Sequence, residues 1–174
     1  MRSAAWLDQN ARPAVHALKY GGLPRIADDL TAVMAPLRPP SDGPSVLIPI
    51  PLAPKRLRQR GYNQSEVLAR ALAREWRIPV RVTLLVRTRE TPTQTALTPE
   101  TRLANVAGAF GTRNAELGTG NSSAFRLPSS TLILVDDVFT TGATLAEAAR
   151  ALEQAGARRI YGVTFARAAI PDFS

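Results

Sequence analysis

The sequence predicts an α/β fold, with an open, mainly parallel sheet flanked by helices and a helical section at the N-terminus. From residue 45 onward, short apolar runs alternate with amphipathic helical stretches, which is the order expected of a parallel sheet covered on both faces. Residues 132–135 are apolar at four successive positions, as is typical of a strand buried on both sides. The chain has 174 residues, 45% of them hydrophobic, enough to bury one sizeable core.

The first 40 residues are predicted to form the helical section. One helix is expected around residues 11–20 and a second within residues 24–35, because Ile26, Leu30, Val33 and Met34 fall on one helical face. A proline-rich linker at residues 36–44 then separates this section, a candidate hood over a ligand, from a main domain at residues 44–170.

Strands and helices alternate through the main domain. Strands are predicted at residues 46–50, 80–87, 131–137 and 159–168, and residues 111–130 are read as a loop or loose hairpin. A basic loop at residues 53–62 precedes a helix at 63–76, which a capping box of Asn63 and Glu66 begins. Another helix is expected after Thr98, and a last one, with Thr144 and Glu147 as its capping box, ends at Gly156.

Composition excludes several kinds of protein. The chain has no cysteine, so neither a disulfide framework nor a thiolate zinc site is expected. No run approaches the ~18 apolar residues of a membrane span, and the start lacks the apolar core of a signal peptide. We therefore expect a cytoplasmic protein without membrane insertion. The net charge of +8 favours polyanionic partners such as phosphorylated substrates or nucleic acid, although composition alone proves neither.

Two adjacent acids and a turn of small residues mark the first candidate site. Asp136 and Asp137 follow the buried strand, at the carboxyl edge where open parallel sheets bind ligands. The turn that follows opens a helix, whose free backbone N–H groups can cradle a phosphate, and it consists of Thr140, Thr141, Gly142, Ala143 and Thr144. Carboxylates beside a phosphate are suited to sugar hydroxyls or hydrated Mg²⁺. The pattern indicates a ribose phosphate, whereas the alternative is a solvated acidic loop.

A cluster of cations marks the second candidate site. Lys55, Arg56, Arg58 and Arg60 lie within six residues, just before Gly61. Their mutual repulsion would be relieved by a diphosphate or a nucleic-acid backbone. The alternative is a solvated basic surface.

The stretch "LILVDDVFTTGAT" resembles the phosphoribosyl-diphosphate signature of type I phosphoribosyltransferases. The resemblance implies that Asp136 and Asp137 contact the ribose hydroxyls of phosphoribosyl diphosphate, with Mg²⁺ held nearby through the ligand, and that residues 140–144 wrap its 5-phosphate. It also assigns the diphosphate to the loop after the first strand, here Lys55, Arg56, Arg60 and Gly61. A Walker-type ATP site is not supported, because the Gly-Lys-Ser/Thr signature is absent.

By position, residues 87–110 look like the mobile loop that closes over the ligand in this class of enzyme. Its polar groups of interest are Arg87, Arg89, Gln94 and Arg102. If the protein is an enzyme, the resemblance makes Asp136, Asp137, Arg87 and Arg89 its catalytic residues, and the diphosphate departs with Mg²⁺ from an oxocarbenium-like ribosyl group. No signature of a purine, pyrimidine or orotate pocket names the acceptor.

A wider set of motifs resembles the ComF-type proteins of bacterial competence. In order along residues 14–168 these motifs are "PIPL", "RLRQRGYNQS", "RTRETPTQTAL", "RLANVAGAF" and "LVDDVFTTGATL". The resemblance implies a role in DNA uptake and transformation, with proteins of the competence machinery as partners. ComF-type proteins commonly carry a cysteine-rich zinc module, which this chain lacks.

A second hypothesis is a single-stranded DNA-binding accessory factor with a non-catalytic nucleotide-sugar site. Arg56, Arg58 and Arg60, together with Arg158 and Arg159, would then follow the phosphates, and Tyr62 would offer a stacking face. His16, the single histidine, is expected on a helix surface and is assigned no chemistry.

Overall fold

The computed structural model describes residues 1–21, 25–89, 106–113 and 129–168. The strands within these residues are β1 (Arg2–Trp6), β2 (Ser45–Pro49), β3 (Leu85–Arg87), β4 (Phe110–Thr112), β5 (Thr131–Phe139) and β6 (Arg159–Arg167). Four of them form the main sheet in the order β1-β6-β5-β2, and every neighbouring pair is parallel. The other two, β3 and β4, form a separate antiparallel pair. The predicted α/β fold with a mainly parallel sheet is confirmed.

Helices cover both faces of the main sheet. They are α1 (Ala11–Tyr20), α2 (Ile26–Met34), α3 (Pro54–Arg60), α4 (Gln64–Trp76) and α5 (Ala143–Gln154), with a short 3₁₀ turn at Ala35–Leu37. Helices α1, α2 and α4 share one hydrophobic cluster with the sheet, whereas α5 and the β3-β4 pair belong to the cluster on the other face. No helix within the described ranges is long and apolar enough to cross a membrane.

Strand β5 lies between β6 and β2 and joins the two clusters. Ile133 and Val135 pack into the cluster with α1, α2 and α4, whereas Leu132 and Leu134 pack into the cluster with α5. This alternation follows from the two-residue period of a strand. The predicted strand at residues 131–137 is confirmed and continues to Phe139, which pairs with Arg167 of β6.

Strand β1 was not predicted from the sequence. Its interior residues are Ser3, Ala4 and Ala5, which lack the β-branched side chains that identify a buried strand. Tertiary pairing forms it, because Arg2 through Trp6 run parallel to β6. The first section of the chain therefore contributes a strand to the main sheet, in addition to the two predicted helices. The division of the chain between residues 40 and 44 stays a prediction.

One predicted strand and one predicted helix face differ from the structure. The strand expected at residues 80–87 is limited to Leu85–Arg87, with one isolated bridge from Val80 to Leu47. The chain leaves the main sheet after that bridge, because Leu84 and Leu85 bury against the cluster on the α5 face. Val33 is 52% exposed, since α2 instead turns the small Ala27 and Thr31 inward beside Leu30 and Met34.

The basic segment predicted as a loop is helix α3. Pro54 occupies its first turn, where a missing N–H costs nothing, and Gly61 ends it in the left-handed conformation at φ 81°. Helix α5 ends at Gln154, two residues before the predicted end.

The capping boxes are also different from the prediction. The side chain of Asn63 does cap α4, by accepting from the backbone N–H of Ser65, but Glu66 pairs with Arg70 instead of closing a box. Helix α5 has Gly142 at its N-cap and no side-chain cap. Glu147 instead accepts from the backbone N–H of Gly108 at 2.6 Å, which fastens the β3-β4 pair to α5.

Several sequence predictions lie outside the described residues. These are the helix start at Thr98 and Pro99, the polar residues Gln94 and Arg102, and most of the loop or hairpin at residues 111–130.

We predict that Gly142→Ala destabilises the protein more than Gly156→Ala. Both glycines have positive φ, at 81° and 98°, where a Cβ is strained. At Gly142 the added Cβ would also lie 2.7 Å from the ring of Phe139, whereas at Gly156 it meets nothing within 4 Å. Urea denaturation should give a loss of about 1 kcal/mol for Gly156→Ala and about 1–3 kcal/mol more for Gly142→Ala. Equal losses would show that Phe139 does not restrict the turn.

Candidate functional site

A cleft of about 930 Å³ lies at the carboxyl edge of the main sheet. Its walls come from one face of α1, from the segment between β2 and the start of α4, from the end of β5, and from Arg87 of β3. The acid pair and the basic segment, which are separated by some 80 residues in sequence, therefore face the same cavity. This is the edge at which the sequence predicts ligand binding.

The two acids are held by different elements. Asp136 Oδ1 accepts a hydrogen bond from the Ser65 hydroxyl at the start of α4, at 2.8 Å, and another from the backbone N–H of Asp137 at 3.0 Å. Asp137 is 4% exposed, and its Oδ2 lies 2.8 Å from the Nζ of Lys19 in α1. This second contact is an ion pair without hydrogen-bond geometry. The two aspartates are thus held by contacts with α4 and α1, which cover the same face of the sheet.

Burial makes the ionised acid pair costly. The pKa of Asp136 is raised from 3.8 to about 7, first by loss of solvent and then by the charge of Asp137, while the Ser65 hydroxyl, the Asp137 N–H and Lys19 act in the opposite direction. Near neutral pH, Asp136 therefore exchanges between its two protonation states. A ligand that donates hydroxyls, or a cation beside it, would favour the carboxylate form.

The turn after β5 presents two hydroxyl residues to the cleft. Thr140 and Thr144 line it, whereas Thr141 is exposed and its hydroxyl accepts from the backbone N–H of Ala143 at 3.4 Å. Ala143 is buried, and Gly142 adopts a φ of 81° directly against the Phe139 ring. The five residues predicted to wrap a phosphate thus form the turn after β5 and the first two positions of α5, beside the acids.

The basic segment divides into two groups. Arg56 and Arg60 line the cleft, and Arg60 donates to the Gln64 side chain while lying 5.0 Å from the ring centroid of Tyr20. Lys55 and Arg58 are exposed and do not belong to the cleft lining. Of the four predicted cations, two are therefore placed to meet a ligand of the acid pair.

Arg87 joins these cations from the other side of the sheet, but Arg89 does not. The Arg87 guanidinium packs over the Phe110 ring at 5.2 Å and lines the cleft. Burial lowers its pKa, and the nearby charge of Arg56 lowers it further, against the opposite effect of Asp136. Arg89 instead donates to the carbonyl of Ala107 at 2.7 Å. Arg56 and Arg87 thus form the positive end of the cleft.

The sequence indicated a candidate hood at the N-terminal helices, but the residues that α1 contributes to the cleft were not predicted. Arg12, His16, Lys19 and Tyr20 all line the cleft, and the His16 and Tyr20 rings lie 5.0 Å apart. Their spacing of three or four residues places them on one helical face, and this spacing could have identified them from the sequence. His16 is exposed, as predicted, although it borders the cleft. Ser65 was also missed as a partner of Asp136, because its position was read only as part of a helix start.

The residues proposed for DNA contacts are not brought together. Arg158 and Arg159 lie where β6 begins, at the edge of the sheet opposite the cleft, because Arg159 pairs with Thr131 at the start of β5. A DNA strand that contacted both these two arginines and α3 would have to extend from one edge of the sheet to the opposite edge. Tyr62 is half-buried, lines the cleft and donates its hydroxyl to the Leu18 carbonyl.

The donor set fits a magnesium ion that is shared with a ligand. In the part of the chain that the structure describes, no group of three or more His, Cys, Asp or Glu residues could hold a metal ion. The acid pair offers two carboxylates, and Mg²⁺ is commonly bound in proteins by one or two carboxylates with waters and substrate phosphates.

We expect the ligand-free protein to lose stability as pH rises from 5 to 8. The folded pKa of Asp136, about 7, lies above its ordinary value of 3.8, so the folded state binds this proton more tightly than the unfolded state. The advantage is present at low pH and is lost as pH rises through 7. The change should reach about 2–3 kcal/mol in urea denaturation, and Asp136→Asn should remove most of it. An unchanged slope in Asp136→Asn would contradict this assignment.

Comparison with known proteins identifies the family. Residues 62–171 match the family described as phosphoribosyl transferase domain. The chain is 35% identical over 125 residues to Competence protein F of Haemophilus influenzae, covering 72% of this chain and 51% of that protein. It is 31% identical over 156 residues to DNA utilization protein YhgH of Shigella flexneri, covering 85% and 63%. Over 112 residues it is 34% identical to Competence protein ComFC of Bacillus subtilis, covering 64% and 39%.

The chain thus spans about half the length of the curated relatives that it matches. The family match covers more than half of this chain, including the turn after β5 and both acids. The chain belongs to the phosphoribosyl transferase domain family and is a ComF-type member of it.

Proposed function

We propose that the cleft binds phosphoribosyl diphosphate together with Mg²⁺, and that the protein acts in the cytoplasm in DNA uptake during natural competence. One observation carries the proposal of the ligand. The acid pair, two threonines of the turn after β5 and the cations Arg56 and Arg87 line a single cavity. A ligand with hydroxyls at its centre and phosphates at both ends matches that distribution of donors and charges.

The sugar end of the ligand is assigned to the end of β5. Vicinal hydroxyls donate to carboxylates, and both Asp136 and Asp137 lie in the cleft. The 5-phosphate is assigned to residues 140–144, where Thr140 and Thr144 face the cavity at the start of α5. In this orientation the ligand's hydroxyls face the two carboxylates and its 5-phosphate faces the turn, so the negative phosphate is kept away from the negative acids.

The diphosphate is assigned to the positive end of the cleft. Arg56 and Arg87 are close enough for their positive charges to repel each other, so an anion between them would reduce this repulsion. Arg60 lines the same wall. When bound, Mg²⁺ would neutralise diphosphate charge and polarise its oxygens, and Asp136 and Asp137 are the residues that would stabilise it from the protein side.

The cellular role is proposed from the relatives. Competence protein F and Competence protein ComFC carry competence in their names, and YhgH is named a DNA utilization protein. Because this chain spans only part of each, we transfer the role as a proposal for this ComF-type protein, with competence-machinery proteins as partners.

Single-stranded DNA binding is the second candidate function. Lys55 and Arg58 are exposed on α3 outside the cleft, where they can meet a phosphate backbone while the cleft holds another ligand. A DNA contact of this kind would weaken steeply with salt, since each neutralised phosphate releases counterions.

We predict that wild type binds phosphoribosyl diphosphate with Mg²⁺ and that Asp136→Asn/Asp137→Asn weakens binding at least ~10-fold, because neutral amides replace the charged acceptors of the ligand hydroxyls. Isothermal titration calorimetry measures both. The matched control is Asp28→Asn/Asp29→Asn, which makes the same charge change at two exposed residues of α2. Absence of binding by wild type at millimolar ligand would contradict the proposal.

The same variants separate the two candidate functions. If the cleft and α3 are distinct sites, the Asp136/Asp137 variant keeps its affinity for single-stranded DNA while losing the sugar diphosphate. Equal loss of both ligands would contradict the two-site arrangement.

A further inference from the structure

The last turn of α1 connects the two ends of the cleft. Lys19 pairs with Asp137 at 2.8 Å, Tyr20 lies under the guanidinium of Arg60, and the carbonyl of Leu18 accepts from the Tyr62 hydroxyl. One helical turn therefore contacts both the acid pair and the segment that carries the cations. A change at Lys19 is placed to affect what the acid pair can bind.

Lys19 occupies the space in front of Asp137. Oδ2 of Asp137 has essentially no solvent-accessible surface, and the Lys19 ammonium is the charged group beside it. A ligand hydroxyl or a metal ion that binds this oxygen therefore has to compete with the ammonium. In the ligand-free protein the lysine thus takes the position of an external cation.

We propose that Lys19 is an internal counter-ion that makes the acid pair selective for a cation arriving with an anionic ligand over a bare divalent cation. The inference rests on the proposed function, since it concerns regulation of the same site. It adds a residue of α1 to that site and gives the residue a role in specificity.

The surroundings of Lys19 explain why a bare cation is disfavoured. The cations Arg12, Arg56, Arg60 and Arg87 and the single histidine, His16, line the same cleft. A metal ion that displaces the ammonium from Asp137 without a ligand adds its two positive charges to a cleft that already holds these cations, at a Coulombic cost. A metal ion that brings phosphates also brings the oxygens that can receive the ammonium. Lys19 is 27% exposed on a flexible stem, so this exchange needs no movement of the helix.

The test is a titration with Mn²⁺ alone, followed by the electron paramagnetic resonance signal of free Mn²⁺. Lys19→Met keeps the length of the apolar stem and removes the charge, whereas Lys19→Arg keeps the charge. We expect Lys19→Met to bind Mn²⁺ about tenfold more tightly than wild type or Lys19→Arg, because the competing cation is gone. The gain should disappear when Asp137→Asn is added.

Lys19→Gln provides a second neutral variant if Lys19→Met does not fold, since its amide can still donate to the buried carboxylate. Its Mn²⁺ affinity should rise at least about threefold over wild type. Equal or weaker Mn²⁺ binding by the folded neutral variant would overturn the inference. Calorimetry with phosphoribosyl diphosphate and Mg²⁺ on the same proteins separates the two proposals. A manganese gain without any sugar diphosphate binding leaves the role of Lys19 standing and removes the proposed function, whereas the reverse result removes only the role of Lys19.

Discussion

Strand β5 is buried on both faces along its first five residues, and this burial decides where the chain can place charge. Apolar side chains fill the strand from Leu132 to Val135, so charged groups enter only toward the carboxyl edge of the sheet. Asp136 and Asp137 stand at that point, and the turn into α5 follows within three residues. Neither cluster of the core could accept the acids further back along the strand without a buried counter-charge. The location of the cleft therefore follows from the packing of the sheet.

The two ends of the cleft carry opposite charges, and neighbouring residues interact with the charged groups at each end. At one end, the Ser65 hydroxyl and the Lys19 ammonium stabilise the charges of the two acids. At the other end, the positive charges of Arg56 and Arg87 lie close enough to repel each other. Such a site is costly in the absence of a ligand, because Asp137 is buried at one end and like charges lie near one another at the other. A ligand with hydroxyls and phosphates in the matching order would lower both costs at once. The charge distribution of the cleft thus supports a sugar diphosphate more strongly than any particular acceptor.

The sequence predicted those parts of the site that depend on local pattern. A run of apolar residues that ends in two acids and a Thr-Gly-Ala-Thr turn is informative by itself, and the structure places these residues at one strand end. Contacts between distant segments could not be read in the same way. Nothing local marks Lys19 as the partner of Asp137, and β1 is a strand only because β6 pairs with it. Likewise, Glu147 has the spacing of a capping residue, but the approach of Gly108 gives it a different partner. Tertiary contacts outweighed local preference in each case.

A crystal structure of the protein with phosphoribosyl diphosphate and Mg²⁺ would show at once whether the cleft binds this ligand in the proposed orientation. We expect ribose hydroxyls on Asp136 and Asp137, the 5-phosphate at residues 140–144, and the diphosphate beside Arg56 and Arg87. We also expect the Lys19 ammonium to have left Asp137 for a phosphate oxygen. A ligand bound elsewhere, for example on the exposed side of α3, with the ion pair between Lys19 and Asp137 still intact, would contradict both proposals.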